Sequence, residues 1–168
     1  MGNDENTKKK GIMYVEVKGA ETNLRFSAAH FIPYHSKCRR LHGHDYTVDV
    51  RIYGVMEKGM IMDFVELKHS IRELLEDIDH KLIIPMRSRD IILKKSGTNL
   101  EITYEEKHLS VPIEFIYECP LEESSSEQLS RFFCEKLKEK IKFGNNVHGL
   151  RVTLFEGPGQ NATWSEEF

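Results

Sequence analysis

Hydrophobic and polar positions alternate with two different periods along this chain, and the two periods separate predicted strands from predicted helices. In residues 46–52 every second side chain is apolar or aromatic, and mostly polar or charged ones lie between them. This period of two predicts a strand with one buried face. Residues 12–17 and 24–31 also suit strands, and residues 19–23 between them have the composition of a turn.

Two later stretches carry apolar residues at helical spacing. The first covers residues 64–78, and Asp63 before it is a residue type that caps the N-terminus of helices. The second covers residues 126–142, where Ser124 and Glu127 have the spacing of a capping box. We therefore expect one helix in the middle of the chain and another before its last predicted strand.

Shorter strand-like pieces complete the pattern. They occupy residues 91–94, 100–104, 113–117 and 147–155. Strands in antiparallel pairs with two helices between them predict an α+β fold, an antiparallel β-sheet whose helices pack on one face. We expect a single domain over residues 12–168, preceded by a polar tail over residues 1–11. Such a sheet has exposed edges, which pairing between subunits would remove.

The composition argues against some classes of protein but does not identify the function. The chain has 168 residues, with 24 Lys and Arg against 27 Asp and Glu, and its formal net charge of -3 gives no general attraction to nucleic acid or anionic membranes. Its cysteines are odd in number and irregularly spaced, so a disulfide framework is not expected. The first residues lack the apolar segment of a signal peptide. We therefore expect a cytoplasmic protein.

Three histidines form a candidate metal site. His42 and His44 are separated by one residue, so in an extended chain both side chains point to one face, about 6.5–7 Å apart. His30 lies on the preceding predicted strand. Three imidazoles without a fourth protein ligand are typical of a catalytic zinc site with an open position. Two alternatives stay open: ordinary core or surface histidines, and a cupin barrel, which needs a glutamate where Val48 and Asp49 stand.

Cys38 and the pair Asp79–His80 are candidates for proton transfer. Cys38 is flanked by Lys37 and Arg39, and cations favour the reactive thiolate form of a cysteine. In the Asp79–His80 pair, a carboxylate can orient an imidazole as a general acid or base. The alternatives are an ordinary loop thiol and an exposed acid–base pair without a function.

Taken together, the motifs of this chain resemble those of one family. In chain order they are Phe26-Ser27-Ala28-Ala29-His30, Cys38-x-x-x-His42-Gly43-His44-x-Tyr46, Gly59-Met60-Ile61-Met62-Asp63-Phe64, Asp79-His80-x-x-Leu82, Ser125-Ser126-Glu127 and Glu156. Their order and spacing are similar to those of the 6-pyruvoyl-tetrahydropterin synthase and 6-carboxytetrahydropterin synthase family, over about residues 24–164. Each motif is common by itself, whereas the combination is specific.

The resemblance implies the tunnelling fold (T-fold), in which chains assemble into rings, usually trimers stacked as hexamers, with active sites between subunits. It implies zinc as the cofactor and a pterin triphosphate as the small-molecule partner, with no nucleic-acid or membrane partner. The implied roles are zinc binding by His30, His42 and His44, proton transfer by Cys38 and by a neighbouring subunit's Asp79 and His80, and pterin binding by Glu156, Ser125, Ser126 and Glu127.

The spacing from Cys38 to His42 resembles the branch of the family that feeds queuosine or archaeosine synthesis. We therefore expect a zinc-dependent lyase that converts 7,8-dihydroneopterin triphosphate to 6-carboxy-5,6,7,8-tetrahydropterin, acetaldehyde and triphosphate. The alternatives are the 6-pyruvoyl-tetrahydropterin synthase reaction, an aldolase-like reaction on dihydroneopterin, and a catalytically silent zinc- or pterin-binding oligomer. Residues 86–118 form a longer segment than in compact bacterial members, and no function is predicted for them.

Overall fold

The computed structural model describes residues 12–168, which form ten strands, three α-helices and one 3-10 turn. The strands are β1 (Tyr14–Val17), β2 (Arg25–His30), β3 (His42–Gly54), β4 (Lys81–Pro85), β5 (Ile92–Ser96), β6 (Asn99–Tyr104), β7 (Lys107–Pro112), β8 (Ile116–Cys119), β9 (Val147–Gly157) and β10 (Gln160–Glu167). The helices are α1 (Gly19–Thr22), α2 (Phe64–Glu76) and α3 (Ser126–Lys140), and the 3-10 turn covers Ile113–Phe115. None of these helices is long and apolar enough to cross a membrane. The tail predicted for residues 1–11 lies outside the described residues.

A seven-stranded sheet forms the centre of the fold, in the order β10-β9-β3-β2-β4-β8, with β1 also paired to β3. The long β3 pairs with β9 on one side and with β2 and β1 in succession on the other. The sheet is mixed, because β4 runs parallel to both β2 and β8. The prediction of an antiparallel sheet is wrong at these two pairs. Parallel neighbours need a long crossover connection, and the residues between β4 and β8 provide one.

Helices α2 and α3 pack against the same hydrophobic core, which confirms the α+β class. Helix α3 contacts β9 and β10, and α2 contacts α3 and β2. The buried side chains of β3 are the alternate residues that the periodicity identifies, and Val48, Val50 and Ile52 are at most 1% exposed. Full burial of a side chain of this size contributes about 1.5–3 kcal/mol, and a slip of one residue would expose all of them. The core therefore fixes the register of β3.

The sequence pattern predicts the N-cap residue of α2 correctly and that of α3 incorrectly. Asp63 caps α2 as predicted, because its side-chain oxygen accepts from the backbone N–H two residues later at 2.6 Å. Helix α3 is capped by Ser125 and not by Ser124. Ser124 is buried, and its hydroxyl donates to the carbonyl of Phe31 at 3.0 Å. A tertiary contact therefore uses the hydroxyl that the capping pattern had assigned to the helix.

Several strand limits differ from the prediction. Strands β4, β7 and β10 were not predicted, and β3 begins at His42 and not after His44. The strand predicted over residues 113–117 is a 3-10 turn followed by β8, and the turn predicted over residues 19–23 is mostly the single helical turn α1. Strand β10 is an edge strand with mostly exposed residues, so it lacks the alternation of a half-buried strand.

A second sheet of three strands, in the order β5-β6-β7, is inserted between β4 and β8. Its buried residues Leu100 and Ile102 belong to a separate hydrophobic cluster with Phe31, Leu82 and Ile84 of the main fold. Phe31 directly follows β2, so the cluster joins the inserted sheet to the main sheet at the end of β2.

Candidate active site

The three candidate histidines converge at the junction of β2 and β3. His30 is the last residue of β2, His42 is the first of β3, and the two are partners in the antiparallel register. His44 lies on the same face of β3, because side chains two residues apart in a strand point to the same side. One ligand nitrogen from each ring lies within 4.8 Å of those of the other two. This spacing allows the three rings to bind one ion.

Backbone carbonyls orient two of these rings. His30 Nδ1 lies 2.8 Å from the carbonyl oxygen of Ser124, and His42 Nδ1 lies 2.7 Å from that of Arg40. A carbonyl oxygen can only accept, so Nδ1 carries the proton in both rings and Nε2 keeps its lone pair. Metal-binding histidines usually donate their second N–H in this way, which fixes both the tautomer and the ring orientation.

Burial leaves His30 in the protonation state that binds a metal ion. His30 is 1% exposed, and burial lowers its pKa to about 4, so the ring is neutral at pH 7. The Nε2 atoms of His30 and His44 are buried and have no hydrogen-bond partner among the described residues. Buried polar atoms without a partner cost free energy, and coordination to an ion would satisfy both atoms. The donor set therefore fits a divalent metal such as zinc.

A cavity of about 430 Å³ opens beside the three histidines. Side chains from the loop between β2 and β3, the start of α3, the end of β9 and the start of β10 meet there. Its other lining residues are Ile32, Cys38, Ser125, Ser126, Glu127, Glu156, Gln160, Asn161 and Ala162. The fold thus brings all the predicted site residues except Asp79 and His80 into one cavity.

The loop between β2 and β3 presents Cys38 to this cavity. The Cys38 N–H donates to His35 Nδ1 at 3.2 Å, and the Cys38 carbonyl accepts from the Ile32 N–H at 2.8 Å. These two hydrogen bonds close the loop on itself and leave Cys38 half-buried at the cavity wall. A thiol in this position can exchange a proton with a molecule bound in the cavity.

Glu156 supplies a carboxylate to the cavity from near the end of β9. Tyr46, on the neighbouring β3, is buried, and its hydroxyl has no hydrogen-bond partner within residues 12–168. Burial, and then the nearby charge of Glu156, raise the pKa of Tyr46, so its hydroxyl stays protonated. Two carboxylate oxygens can accept from adjacent N–H groups of a planar ligand, which is a geometrically specific contact.

The Asp79–His80 pair lies in a different place. His80 is 82% exposed at its side chain and lines a second cavity of about 610 Å³ together with Ser27, Ala29 and other residues. Ser27 and Ala29 alternate along β2 with His30 and so face the other side of the sheet. His44 lines both cavities, whereas Cys38 lines the histidine cavity and not the second one. Within one chain, the pair and Cys38 therefore do not share a cavity.

The Asp79–His80 pair is nevertheless a rigid unit attached to β2. The Asp79 carboxylate accepts from the Ser27 N–H at 2.7 Å and pairs with His80 Nδ1 at 2.8 Å. The His80 N–H donates back to the Ser27 carbonyl at 2.7 Å, which holds His80 in the left-handed backbone region at φ 60°. Burial raises the pKa of Asp79, but the hydrogen bonds from Ser27 and His80 outweigh it and leave the pKa below its ordinary value. The carboxylate is thus ionised and orients the imidazole.

Sequence reasoning missed four contributors to the site. Gln160 and Asn161 line the cavity from β10, whose polar sequence gave no strand signal. The carbonyl groups of Ser124 and Arg40 orient two histidines, and backbone atoms carry no sequence signal of their own.

Comparisons with known proteins show what this chain is similar to. Residues 20–167 match a family model described as 6-pyruvoyl tetrahydropterin synthase. A Methanocaldococcus jannaschii protein with the provisional name 6-carboxy-5,6,7,8-tetrahydropterin synthase is 32% identical over 156 residues, which cover 90% of this chain and 96% of the relative. The 6-carboxy-5,6,7,8-tetrahydropterin synthase of Aquifex aeolicus is 29% identical over 143 residues, which cover 79% of this chain and 78% of that protein.

Solved structures show the same likeness. A crystal structure of 6-pyruvoyl tetrahydropterin synthase from Plasmodium vivax has a TM-score of 0.88 and 30% sequence identity, and the match covers 95% of this chain and 100% of that one. The high coverage on both sides means that the inserted three-stranded sheet falls within the matched region. The matched residues of the family model also span every candidate site residue, from His30 to Glu156.

Proposed function

The chain belongs to the 6-pyruvoyl tetrahydropterin synthase family, and we propose that it is a zinc-dependent lyase. Its substrates are 7,8-dihydroneopterin triphosphate and one water molecule, and its products are 6-carboxy-5,6,7,8-tetrahydropterin, acetaldehyde and triphosphate. The observation that carries this proposal is the single cavity that holds the three histidines, Cys38 and Glu156. The names of the Methanocaldococcus and Aquifex relatives support the carboxytetrahydropterin branch.

Each residue of the cavity has a distinct role in this proposal. His30, His42 and His44 hold the zinc, which when bound supplies a Lewis acid that makes the neighbouring C–H of the substrate side chain more acidic. Cys38, as the thiolate, accepts a proton of that side chain at its sulfur and, as the thiol, returns it. Glu156 accepts from the ring N–H and the adjacent amino group of the pterin, and so fixes the direction in which the side chain points.

The start of α3 forms another part of the pterin-binding surface in this proposal. Ser125, Ser126 and Glu127 line the same cavity as Glu156. The first N–H groups of a helix lack partners inside the helix, so those of Ser126 and Glu127 can donate to the acceptor atoms of a bound ring. Donors at α3 and acceptors at Glu156 together would define the orientation of a pterin.

We propose that chains assemble into rings and that Asp79 and His80 act in the site of a neighbouring subunit. The separate positions of Cys38 and His80 in one chain support this, since a proton relay needs both groups near one substrate. The open edges of the sheet at β8 and β10 could join neighbouring chains.

Mixed assemblies test the shared site. We expect Cys38→Ala and His80→Ala each to have low activity alone. Rings that contain both chains should recover about a quarter of the wild-type activity. Each shared site takes Cys38 from one chain and His80 from its neighbour, so random assembly leaves both groups intact in about a quarter of the sites. The measurement is turnover of the co-expressed and co-purified variants, with each variant expressed alone as the control. Mixed rings no more active than their parents would place both groups in the site of one chain.

Glu156→Gln tests the pterin contact. Glutamine keeps the size of the side chain but places a donor against a donor, so the affinity for 7,8-dihydroneopterin should weaken by about 1.5–3 kcal/mol, the range for a hydrogen bond to a charged group. Zinc content should not change. Calorimetric titration gives the affinity, and Glu139→Gln, which removes an exposed carboxylate paired with Lys136, is the matched control. An unchanged affinity in Glu156→Gln would show that the ring is held elsewhere.

Product analysis tests the reaction itself. Zinc-loaded protein is incubated with 7,8-dihydroneopterin triphosphate, and the products are identified by mass spectrometry, with Cys38→Ala as the control. We expect 6-carboxy-5,6,7,8-tetrahydropterin and acetaldehyde. The likeness to the Plasmodium vivax structure favours a second candidate, the 6-pyruvoyl-tetrahydropterin synthase reaction, which would give the pyruvoyl product without acetaldehyde. An unchanged substrate would argue against both reactions.

A further inference from the structure

The inserted three-stranded sheet reaches the loop that carries Cys38. Tyr104, at the end of β6, belongs to the hydrophobic cluster that joins this sheet to Phe31 and Leu82 of the main fold. Phe31 is the first residue after β2 and therefore begins the loop. The segment to which the sequence assigned no function is thus anchored beside the histidine cavity.

Tyr104 contacts both the start of the loop and its centre. Its ring stacks on Phe31, with centroids 4.4 Å apart and an interplanar angle of 17°. Its hydroxyl donates to the Arg39 carbonyl at 2.9 Å. The side chain is 4% exposed, so water competes little for this hydrogen bond. Glu105 adds an exposed ion pair with the Arg39 guanidinium at 3.6 Å, and an exposed pair of this kind contributes little.

The Arg39 carbonyl that accepts from Tyr104 lies in the chain between Cys38 and the candidate metal ligand His42. Cys38 precedes Arg39 in the chain, and the carbonyl of Arg40, one peptide later, accepts from His42 Nδ1. The hydrogen bond from Tyr104 fixes the Arg39 peptide and so limits backbone rotation on both sides of it. On one side this backbone positions the Cys38 thiol, and on the other it positions the Arg40 carbonyl that orients the His42 ring. The hydrogen bonds of Cys38 come from within the loop, whereas Tyr104 bonds the neighbouring Arg39 carbonyl from a separate sheet.

Two properties of Tyr104 favour a lasting hydrogen bond to the Arg39 carbonyl. Burial raises its pKa, with a smaller opposing effect of Lys107, so the hydroxyl remains a donor throughout the neutral range. Its ring is held between Phe31 and the core of the inserted sheet, so little side-chain entropy is lost when the hydroxyl bonds the loop.

We propose that Tyr104 is a positioning residue for Cys38 and that the inserted sheet supports the Cys38 loop through it. The proposal rests on the proposed catalytic role of Cys38. Without the hydroxyl, the loop would sample conformations in which the thiol is displaced from the cavity, and a displacement of about 1 Å can cost up to about a hundredfold in rate.

Tyr104→Phe removes the hydroxyl and keeps the stacked ring. The amide hydrogens of Ile32 and Arg39, which donate to carbonyls inside the loop, should exchange roughly three- to tenfold faster, the range for one lost hydrogen bond. With 7,8-dihydroneopterin triphosphate, kcat should fall by at least about threefold while KM stays within about twofold, since the pterin contacts are intact. Zinc content should equal that of the wild-type protein.

Ser110→Ala is the matched control, because the Ser110 hydroxyl bonds Glu101 and Asn99 inside the same inserted sheet. It should leave loop exchange and kcat at wild-type values. Unchanged loop exchange in Tyr104→Phe would overturn the proposal, and so would a kcat that falls only in proportion to lost zinc. If the wild-type protein shows no turnover, the proposed function fails, while amide exchange still decides whether Tyr104 holds the loop.

Discussion

Replacing His42 with alanine is expected to leave the purified protein with little zinc, against about one zinc per wild-type chain, and to abolish turnover. His42 supplies one of three ring nitrogens that lie within 4.8 Å of one another. A catalytic zinc site usually needs three protein ligands, and His42→Ala leaves two. Elemental analysis of both proteins measures the metal, and product formation from 7,8-dihydroneopterin triphosphate measures the activity.

The control for this experiment is His69→Ala. His69 lies on the exposed side of α2, and its side chain, 70% exposed, pairs with Glu73. Its loss should change neither zinc content nor turnover. Full retention of zinc in His42→Ala would refute the metal site. The buried Nε2 atoms of His30 and His44, which have no hydrogen-bond partner within residues 12–168, would then need another explanation.

Cys38→Ala should lower turnover by at least about a hundredfold, the low end for a lost general acid or base, while zinc content and assembly stay unchanged. The reason is geometric. In the proposed site the three histidines are the protein ligands of an open zinc site, and the Cys38 backbone is held by hydrogen bonds that do not involve its thiol. Single-turnover kinetics, elemental analysis and size-exclusion chromatography measure the three quantities.

Ser36→Ala, in the same loop, is the matched control, because Ser36 is exposed and does not line the histidine cavity. It should retain wild-type turnover. Loss of zinc from Cys38→Ala would mean that the thiol is itself a ligand, and the open coordination position would then be absent.

Features that depend on local periodicity and on short motifs could be predicted from the sequence. Alternation placed Val48, Val50 and Ile52 in the core, and helical spacing behind Asp63 located α2. These predictions succeed because the side chains of a strand alternate and those of a helix recur every three to four residues, whatever the rest of the fold. The single-residue gap between His42 and His44 predicted one shared face for the same reason.

Contacts between distant segments could not be predicted from the sequence and are seen in the folded structure. The Ser124 carbonyl orients His30 across 94 residues, and the Tyr104 hydroxyl reaches Arg39 across 65. The structure also shows that β4 runs parallel to β2 and that His80 and Cys38 line different cavities. Such contacts depend on how the helices and the inserted sheet pack on the strands. The free energy of that packing is spread over many buried side chains far apart in the sequence, so no short sequence pattern predicts it.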